Sequence, residues 1–251
     1  MVNEDKRRSK DKDTDNLITR CMRVFMHYRP LFWLLILTVS LLLFLLALPD
    51  EIFFTLIYAF LRQRYLAISL IVFSLLALSL LWSTGQRLDA WVFLVINLRG
   101  PRPKWLDLAM LAITQLGNGV TPVIIAFVLY QGGDRRLAYI LLLGTLTLWL
   151  FVELIKAIIR RTRPFMRLAQ TRIVGWRAVG RSFPSGHTSQ SFFLASFMVQ
   201  HFHLPFWLAF PMYAIAMLVG VTRMYVGAHY PRDVLAGAVL GSVWGYLAGL
   251  V

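Results

Sequence analysis

Long apolar stretches separated by short polar segments make up most of the sequence after residue 30. A transmembrane helix needs about 20 mostly apolar residues. Seven stretches approach or exceed that length: 31–48, 65–83, 105–130, 137–159, 185–201, 205–220 and 231–250. The third is interrupted by Gly117-Asn118-Gly119, since glycine weakens a helix and marks turns. The pattern predicts an all-α protein built as a polytopic membrane bundle of about seven transmembrane helices.

The polar segments divide the chain into three parts. Residues 1–30 mix basic and acidic side chains at low hydrophobicity, which predicts a disordered or loosely helical tail. A signal peptide is not expected, because this polar segment precedes the first apolar stretch and no small-residue cleavage site follows it. We predict a transmembrane hairpin at 31–83 and a membrane core at 84–251. Within that core, residues 84–104 hold charges, aromatics and helix breakers, which indicates an interfacial segment.

Composition narrows the class of protein. The chain is 58% hydrophobic, against roughly 45–50% apolar residues in soluble domains. A net charge of +14 could indicate a nucleic-acid partner. However, much of the positive charge lies between apolar stretches, where it matches anionic lipid head groups and topology signals. We therefore predict a bilayer environment, an acidic substrate and no nucleic acid. The single cysteine, Cys21, excludes an intramolecular disulfide and a cysteine-based metal cluster.

Three short polar islands lie at the ends of apolar stretches, at 156–164, 184–187 and 223–233. Ionisable side chains are costly beside lipid, so at a membrane edge they are candidates for function. We expect these islands to converge into one site that binds and cleaves a phosphate.

The second island, Pro184-Ser185-Gly186-His187, precedes an apolar run. Ser185 is a favourable helix N-cap, and Gly186 lets a ligand approach the backbone closely. Because a helix N-terminus offers free N–H groups and a positive dipole end, it can bind an anion. His187 lies in the first turn, within reach of a bound phosphate. The alternative is a capped helix with a histidine at the membrane interface.

The third island places His229 and Asp233 four residues apart, on one face of a helical turn. Pro231 favours a helix start there. A carboxylate that accepts a hydrogen bond from one imidazole nitrogen fixes the tautomer and leaves the other nitrogen free as a nucleophile or base. The alternative is a structural His–Asp hydrogen bond.

The first island supplies cations. Lys156 and Arg163 flank the end of the fourth stretch, and Pro164 stops the helix. Arginine can bind two phosphate oxygens at once, whereas lysine acts as a point charge. Basic residues at a membrane edge often extend towards the head groups instead. That is our expectation for three neighbours: Arg160, Arg161 and Arg167.

Together the islands resemble the motifs of the type 2 phosphatidic acid phosphatase family, which shares its site design with vanadium haloperoxidases and bacterial acid phosphatases. The family motif K-x6-R-P matches 156–164, and P-S-G-H matches 184–187 without change. The third motif, S-R-x5-H-x3-D, matches 222–233, with Thr222 in place of serine. That replacement keeps a hydroxyl group. The resemblance implies a six-helix core, whose first helix is the stretch 65–83.

The resemblance also implies roles. His229 would attack phosphorus and become a phosphohistidine, Asp233 would orient it, and His187 would protonate the leaving oxygen. Water would then hydrolyse the phosphohistidine, with no metal or other cofactor. Five residues would bind the phosphate: Lys156, Arg163, Ser185, Gly186 and Arg223.

The function that this implies is a membrane lipid phosphatase that cleaves a phosphate monoester or pyrophosphate. The candidate substrates are undecaprenyl diphosphate, phosphatidylglycerol phosphate, phosphatidic acid and lipid A phosphates. The arginine-rich connection at 165–182 would lie near the head group. Two alternatives are lipid-to-lipid phosphotransfer and a catalytically silent lipid-binding or transport protein. Binding alone does not need an oriented nucleophile, which favours an enzyme over the silent protein. The sequence leaves the oligomeric state open.

We expect an integral protein of a bacterial cytoplasmic membrane. Seven spans with the basic tail inside, as the positive-inside rule suggests, would place the islands on the cytoplasmic side. Members of the family commonly face outward. On the strength of that resemblance, we predict an extracytoplasmic site.

Overall fold

A computed structural model of the protein describes residues 63–250. The predicted tail at 1–30 and the first predicted span at 31–48 lie outside these residues. The described part is helical and contains no strand, so the all-α prediction is confirmed for it. Its helices are α1 (Arg64–Ser79), α2 (Ser83–Leu98), α3 (Lys104–Gln115), α4 (Val120–Gln131), α5 (Arg135–Ile159), α6 (Pro164–Arg167), α7 (Gly186–His201), α8 (Phe206–Tyr225) and α9 (Pro231–Ala248).

Within residues 63–250, two segments are long and apolar enough to cross a membrane: Arg135–Arg167, which contains α5 and α6, and α8. Two bent pairs also qualify when each pair is counted as one span. The pair α1 and α2 is bent by 95°, and the pair α3 and α4 by 54°. The described part therefore has between two and four candidate spans by length and composition. The number seven stays a prediction.

Helix α7 packs against α5, α8 and α9, and most extensively against α9. Three glycines at every fourth position of α9 face α7, and a Cβ added at Gly237 would lie only 2.7 Å from the backbone oxygen of Ser185. Small residues at this spacing allow two helix backbones to approach closely. The buried hydroxyl groups of α7 bond to backbone oxygens: those of Ser189 and Ser191 to oxygens of α7 and its cap, and that of Ser196 to Ser242 of α9.

Most predicted boundaries agree with the helices. The interruption predicted at 117–119 separates α3 from α4, and Ser185 is the N-cap of α7. Two boundaries are wrong. The second stretch was predicted to run to residue 83, but α1 ends at Ser79 and α2 begins at Ser83. The sixth stretch was predicted to end at Gly220, but α8 continues to Tyr225. Gly220 lies inside the helix where α8 meets α9, and a Cβ there would lie 2.6 Å from Val234. The glycine therefore serves helix packing, and the extra turn and a half carries Arg223 into the site.

Helix α2 lies nearly perpendicular to α1. Its buried residues, Asp89, Phe93 and Asn97, recur every four positions and form one face. The amide of Asn97 donates to the backbone oxygens of Arg172 and Tyr225 at 2.9 and 2.8 Å, and its oxygen accepts from the backbone N–H of Arg172 at 2.8 Å. These bonds fix the connection between α6 and α7 against the end of α8.

The break between α3 and α4 gives a sharp test of packing. A Cβ at Gly117 would lie 2.5 Å from the backbone oxygen of His187, whereas one at Gly119 would meet no atom within 4 Å. Backbone cannot move aside as a flexible side chain can, so Gly117→Ala should destabilise the protein by about 1–3 kcal/mol. Gly119→Ala, two residues away, should have little effect. Thermal unfolding in detergent measures both, and equal shifts in Tm would show that the contact between α3 and α7 is not tight.

Candidate active site

The three islands meet around one cavity. Its volume is about 670 Å³. Six of the predicted site residues line it: Lys156, Arg163, Gly186, His187, Arg223 and His229. Four separate elements contribute them: the end of α5, the segment before α6, the start of α7, and α8 with the turn that follows it. The islands are thus close in space although they span almost 80 residues of sequence, and the cavity has a cationic end with two histidines.

His229 is almost fully buried in the turn between α8 and α9. Its Nδ1 atom lies 2.7 Å from the backbone oxygen of Ser182, and its Nε2 atom lies 3.2 Å from Nη1 of Arg163. A carbonyl oxygen only accepts hydrogen bonds, so Nδ1 carries the proton. The lone pair is therefore on Nε2, the nitrogen that faces the guanidinium of Arg163 at the cavity.

Burial lowers the pKa of His229 to about 3, because burial penalises the charged imidazolium. The negative charge of Asp233 opposes this shift, and the positive charge of Arg163 adds to it. His229 is consequently neutral near pH 7. A neutral imidazole keeps the lone pair that a nucleophile or base requires.

This shift predicts how stability depends on pH. An unfolded histidine titrates near pH 6.5, so below that pH the unfolded chain binds a proton at residue 229 that the folded chain excludes. The free energy of unfolding should therefore fall as the pH drops from 6.5 towards 3, by about 2 kcal/mol at pH 5.0. His229→Asn should have a shallower decline of Tm between pH 7.5 and 5.0 than the parent protein. The matched His203→Asn change, at an exposed histidine, should leave the slope unaltered; parallel declines in all three proteins would contradict the shift.

Asp233 is fully buried in the first turn of α9, as Pro231 at the helix start predicted. The direct His229–Asp233 hydrogen bond that we expected is not formed. The nearest carboxylate oxygen lies 3.7 Å from Nδ1. That oxygen instead accepts from the hydroxyl of Ser182 at 2.5 Å and from the backbone N–H of Tyr230 at 2.8 Å. Asp233 thus holds the two segments that flank the imidazole, and Ser182, which the sequence analysis missed, orients the ring through its backbone oxygen.

Arg161 is the main correction to the sequence analysis. We expected it to extend towards lipid head groups, but its guanidinium lies inside the protein and bridges two buried carboxylates. One nitrogen donates to Asp233 at 2.6 Å, and another forms an ion pair with Asp89. The same guanidinium lies 4.2 Å from the ring centre of Tyr230. Arg161 therefore connects α2 to the start of α9, directly behind His229.

The phosphate-binding arginines are held in place by neutral groups. Arg163 is buried and donates to the backbone oxygens of Val179, Gly180 and Ala228 at 2.7, 3.1 and 3.1 Å. Arg223 donates to the hydroxyl of Thr114 at 2.9 Å. Since none of these partners is charged, both guanidinium groups keep their full positive charge available to an anion.

Lys156 and the start of α7 complete the cationic end. The amine of Lys156 lies close to Gly186, 3.7 Å from where a Cβ would be, and forms a 2.7 Å ion pair with Glu153. His187 lines the cavity in the first turn of α7. Ser185 is the N-cap that the sequence predicted, but it does not take the phosphate-binding place that the resemblance implied. Its hydroxyl accepts from the backbone N–H and the hydroxyl of Thr188, at 3.5 and 2.9 Å, so it caps the helix and does not line the cavity.

The rest of the cavity is mostly apolar and lies along α4 and α5. Val123 of α4 and Leu142, Leu146 and Trp149 of α5 line this part. These side chains are between 38% and 53% exposed, so the apolar wall reaches the outer surface of the bundle. A molecule with a charged head and a hydrocarbon chain matches this division of the cavity. No group of three or more His, Cys, Asp or Glu side chains placed to hold a metal ion occurs within residues 63–250.

Comparisons with known proteins agree with this arrangement. The family model described as "PAP2 superfamily" matches residues 137–250, which include all three islands. Phosphatidylglycerophosphatase B of Bacillus subtilis is 32% identical over 157 residues, which cover 56% of this chain and 72% of that protein. A lipid A 4'-phosphatase of Bacteroides thetaiotaomicron is 41% identical over 73 residues, or 29% of this chain; the chain spans only 32% of that relative.

The fold has solved counterparts as well. The crystal structure of a transmembrane PAP2 type phosphatidylglycerolphosphate phosphatase from Bacillus subtilis superimposes with a TM-score of 0.62 at 28% identity, covering 72% of this chain and 92% of that one. The shared fold, the aligned relatives and the three ordered motifs around one cavity lead to one conclusion: the chain is an integral membrane protein and belongs to the PAP2 superfamily.

Proposed function

We propose that the protein is a lipid phosphatase that removes a terminal phosphate from a membrane lipid through a phosphohistidine at His229. The observation that carries this proposal is the neutral imidazole, with Nδ1 bonded to Ser182 and Nε2 facing the guanidinium of Arg163 at the cavity. Residues that only bind a phosphate need positive charge but not an oriented, unprotonated nitrogen. The three relatives compared above carry phosphatase names, which supports the same reaction class.

In the first step, the Nε2 lone pair of His229 attacks phosphorus and forms a P–N bond. The bond from phosphorus to the lipid oxygen breaks, and that oxygen takes a proton that His187 accepted from the phosphate monoanion on binding. The imidazole becomes positively charged in this step, since Nδ1 keeps its proton. The carboxylate of Asp233, 3.7 Å from Nδ1, and the Ser182 carbonyl oxygen stabilise that charge.

In the second step, a water molecule attacks the phosphohistidine. His187, now neutral, accepts the proton of the water, the P–N bond breaks, and phosphate leaves with His229 restored. Throughout both steps the phosphoryl oxygens carry negative charge, and positive groups around them are the largest catalytic contribution in such transfers. Lys156, Arg163 and Arg223 supply that charge, and the backbone N–H groups at Gly186 add the positive end of the α7 dipole. Ser185 contributes by capping α7.

The division of the cavity into a cationic end and an apolar wall supports a class of substrates. The phosphate would occupy the cationic end, and the hydrocarbon chain would lie along the apolar wall formed by α4 and α5. Phosphatidylglycerol phosphate, phosphatidic acid, undecaprenyl diphosphate and lipid A phosphates all have this division. We also propose that the site faces the extracytoplasmic side. Reporter fusions at residue 1 and within 165–182 test this: a cytoplasmic location for the 165–182 reporter would overturn it.

The reaction is tested by phosphate release from the purified, detergent-solubilised protein in EDTA, with the four lipids as a panel. We expect release from at least one lipid, at a rate unaffected by EDTA. An acceptor lipid is included in parallel, because phosphate transfer to it would identify a phosphotransferase that uses the same intermediate. If the protein neither releases phosphate from any of the lipids nor transfers it to the acceptor, the phosphatase and the phosphotransferase are both refuted. The silent lipid-binding protein then remains.

A further inference from the structure

A pair of polar side chains lies in the cavity beyond the phosphate-binding end. Gln190 of α7 and Thr145 of α5 both line the cavity, and only 7% of Gln190 and 8% of Thr145 is exposed to solvent. The side-chain nitrogen of Gln190 donates to the backbone oxygen of Thr145 at 3.1 Å. That bond fixes the amide orientation, because an amide oxygen could not bond to a carbonyl oxygen.

Two oxygen atoms are left over by this arrangement. Within the part of the chain that the structure describes, Oε1 of Gln190 and Oγ1 of Thr145 are buried without a hydrogen-bond partner. A buried polar atom without a partner is unfavourable by about 1–3 kcal/mol, and native proteins contain few of them. Neither residue takes part in the reaction proposed above, so the pair calls for a different explanation.

The position of the pair relative to the phosphate site is set by helix geometry. Gln190 lies four residues after Gly186 and three after His187 on α7, which places its backbone about 6 Å further along the helix. It faces the same cavity as His187. The pair therefore lies next to the part of a substrate that directly follows its phosphate, before the hydrocarbon chain begins.

The chemistry of the free atoms limits the ligand. Oε1 of Gln190 is an acceptor and requires a hydrogen-bond donor, whereas Oγ1 of Thr145 can donate or accept. A hydroxyl group can bond to either atom, since it both donates and accepts. A polyprenyl chain has no donor at this position, and a fully acylated glycerol phosphate has only ester acceptors.

We propose that Gln190 and Thr145 form a subsite that binds a hydroxyl group within a few bonds of the scissile phosphate, and so select lipid phosphates with a hydroxylated glycerol or sugar head. This inference rests on the proposed function and deepens it by naming a substrate class. The subsite contacts the substrate away from the reacting atoms, so it determines specificity and takes no part in bond cleavage.

The test uses two lipids that differ by one group: 1-acyl-glycerol 3-phosphate, with a free hydroxyl at carbon 2, and its 2-deoxy counterpart with the same acyl chain. We expect the parent protein to favour the hydroxylated lipid in kcat/KM by about tenfold, the size of one well-formed hydrogen bond. Gln190→Leu and Thr145→Val should each reduce this ratio towards one. Thr145→Ser, which keeps the hydroxyl group, should preserve it.

A binding experiment separates the subsite proposal from the phosphatase proposal. It measures the dissociation constants of the His229→Ala protein for the same two lipids. A tenfold preference in binding without turnover in the parent protein would support the subsite and refute the phosphatase. Turnover with equal kcat/KM for both lipids would refute the subsite and leave the phosphatase intact. A ratio that stays unchanged in Gln190→Leu would also overturn the subsite, and would indicate that ordered water satisfies the two atoms.

Discussion

Replacing His229 with alanine should lower the rate of phosphate release by at least about a thousandfold, because it removes the group that forms the covalent bond to phosphorus. The remaining cations can still bind the phosphate, so the dissociation constant for the substrate should change much less than kcat. Phosphate release and equilibrium binding, measured on the same purified protein, check both parts of this prediction.

The matched control is His201→Ala, which changes a histidine at the far end of α7. His201 lies next to Phe197 and Phe202, remote from the phosphate site. That variant should keep kcat within a few-fold of the parent value. Substantial turnover in His229→Ala would show that a water molecule, and not His229, attacks phosphorus.

The second large effect is expected at Arg161. Arg161→Met removes the cation between Asp89 and Asp233 and leaves both carboxylates buried without it. Breaking a buried ion pair by removing one partner costs about 3–5 kcal/mol. We therefore expect a lower Tm in detergent. We also expect kcat to fall by about tenfold or more, because Asp233 holds Ser182 and Tyr230 on either side of the nucleophile.

Arg167→Met is the matched control for Arg161. Arg167 is the neighbour whose side chain bonds to Gln86 near the surface, and a surface change of this kind usually alters stability by about 0.5 kcal/mol or less. If the two variants had the same Tm and the same kcat, the ion pairs of Arg161 with Asp89 and Asp233 would contribute to neither stability nor catalysis. A second variant, Asp89→Asn, distinguishes charge from packing, since it keeps the shape but leaves Arg161 with a single carboxylate.

The parts of the site that the sequence predicted are those encoded locally. Ser185 as an N-cap, Pro231 at the start of α9 and the break after Gln115 each depend on a few consecutive residues, and each is present in the structure. The placement of His187, His229 and the cations around one cavity followed from the order and spacing of the motifs.

The parts that it did not predict depend on contacts between distant segments. Nothing in the local sequence separates Arg161, which binds carboxylates at positions 89 and 233, from Arg160, whose side chain donates to the backbone oxygen of Ala157. The buried Asp89 was the available signal, because a carboxylate on the apolar face of a helix needs a cationic partner. The 3.7 Å distance between His229 and Asp233 was not predictable either. Nδ1 of His229 bonds instead to the backbone oxygen of Ser182, which lies in the irregular connection between α6 and α7.

The end of α8 shows a related difficulty. A glycine usually marks the end of a helix, but within a membrane bundle it also marks close contact between helices. Sequence alone does not distinguish these two uses at Gly220. Here packing against Val234 explains the glycine, and the helix continues until Arg223 reaches Thr114.

The most direct test of the central claim is the stereochemical course at phosphorus. A lipid thiophosphate monoester, whose phosphorus is made chiral by sulfur and two oxygen isotopes, is hydrolysed in water that carries the third oxygen isotope, and the configuration of the released thiophosphate is determined. Two successive in-line displacements, first by His229 and then by water, each invert phosphorus, so we predict overall retention. Overall inversion would require a single direct attack by water and would contradict the phosphohistidine mechanism.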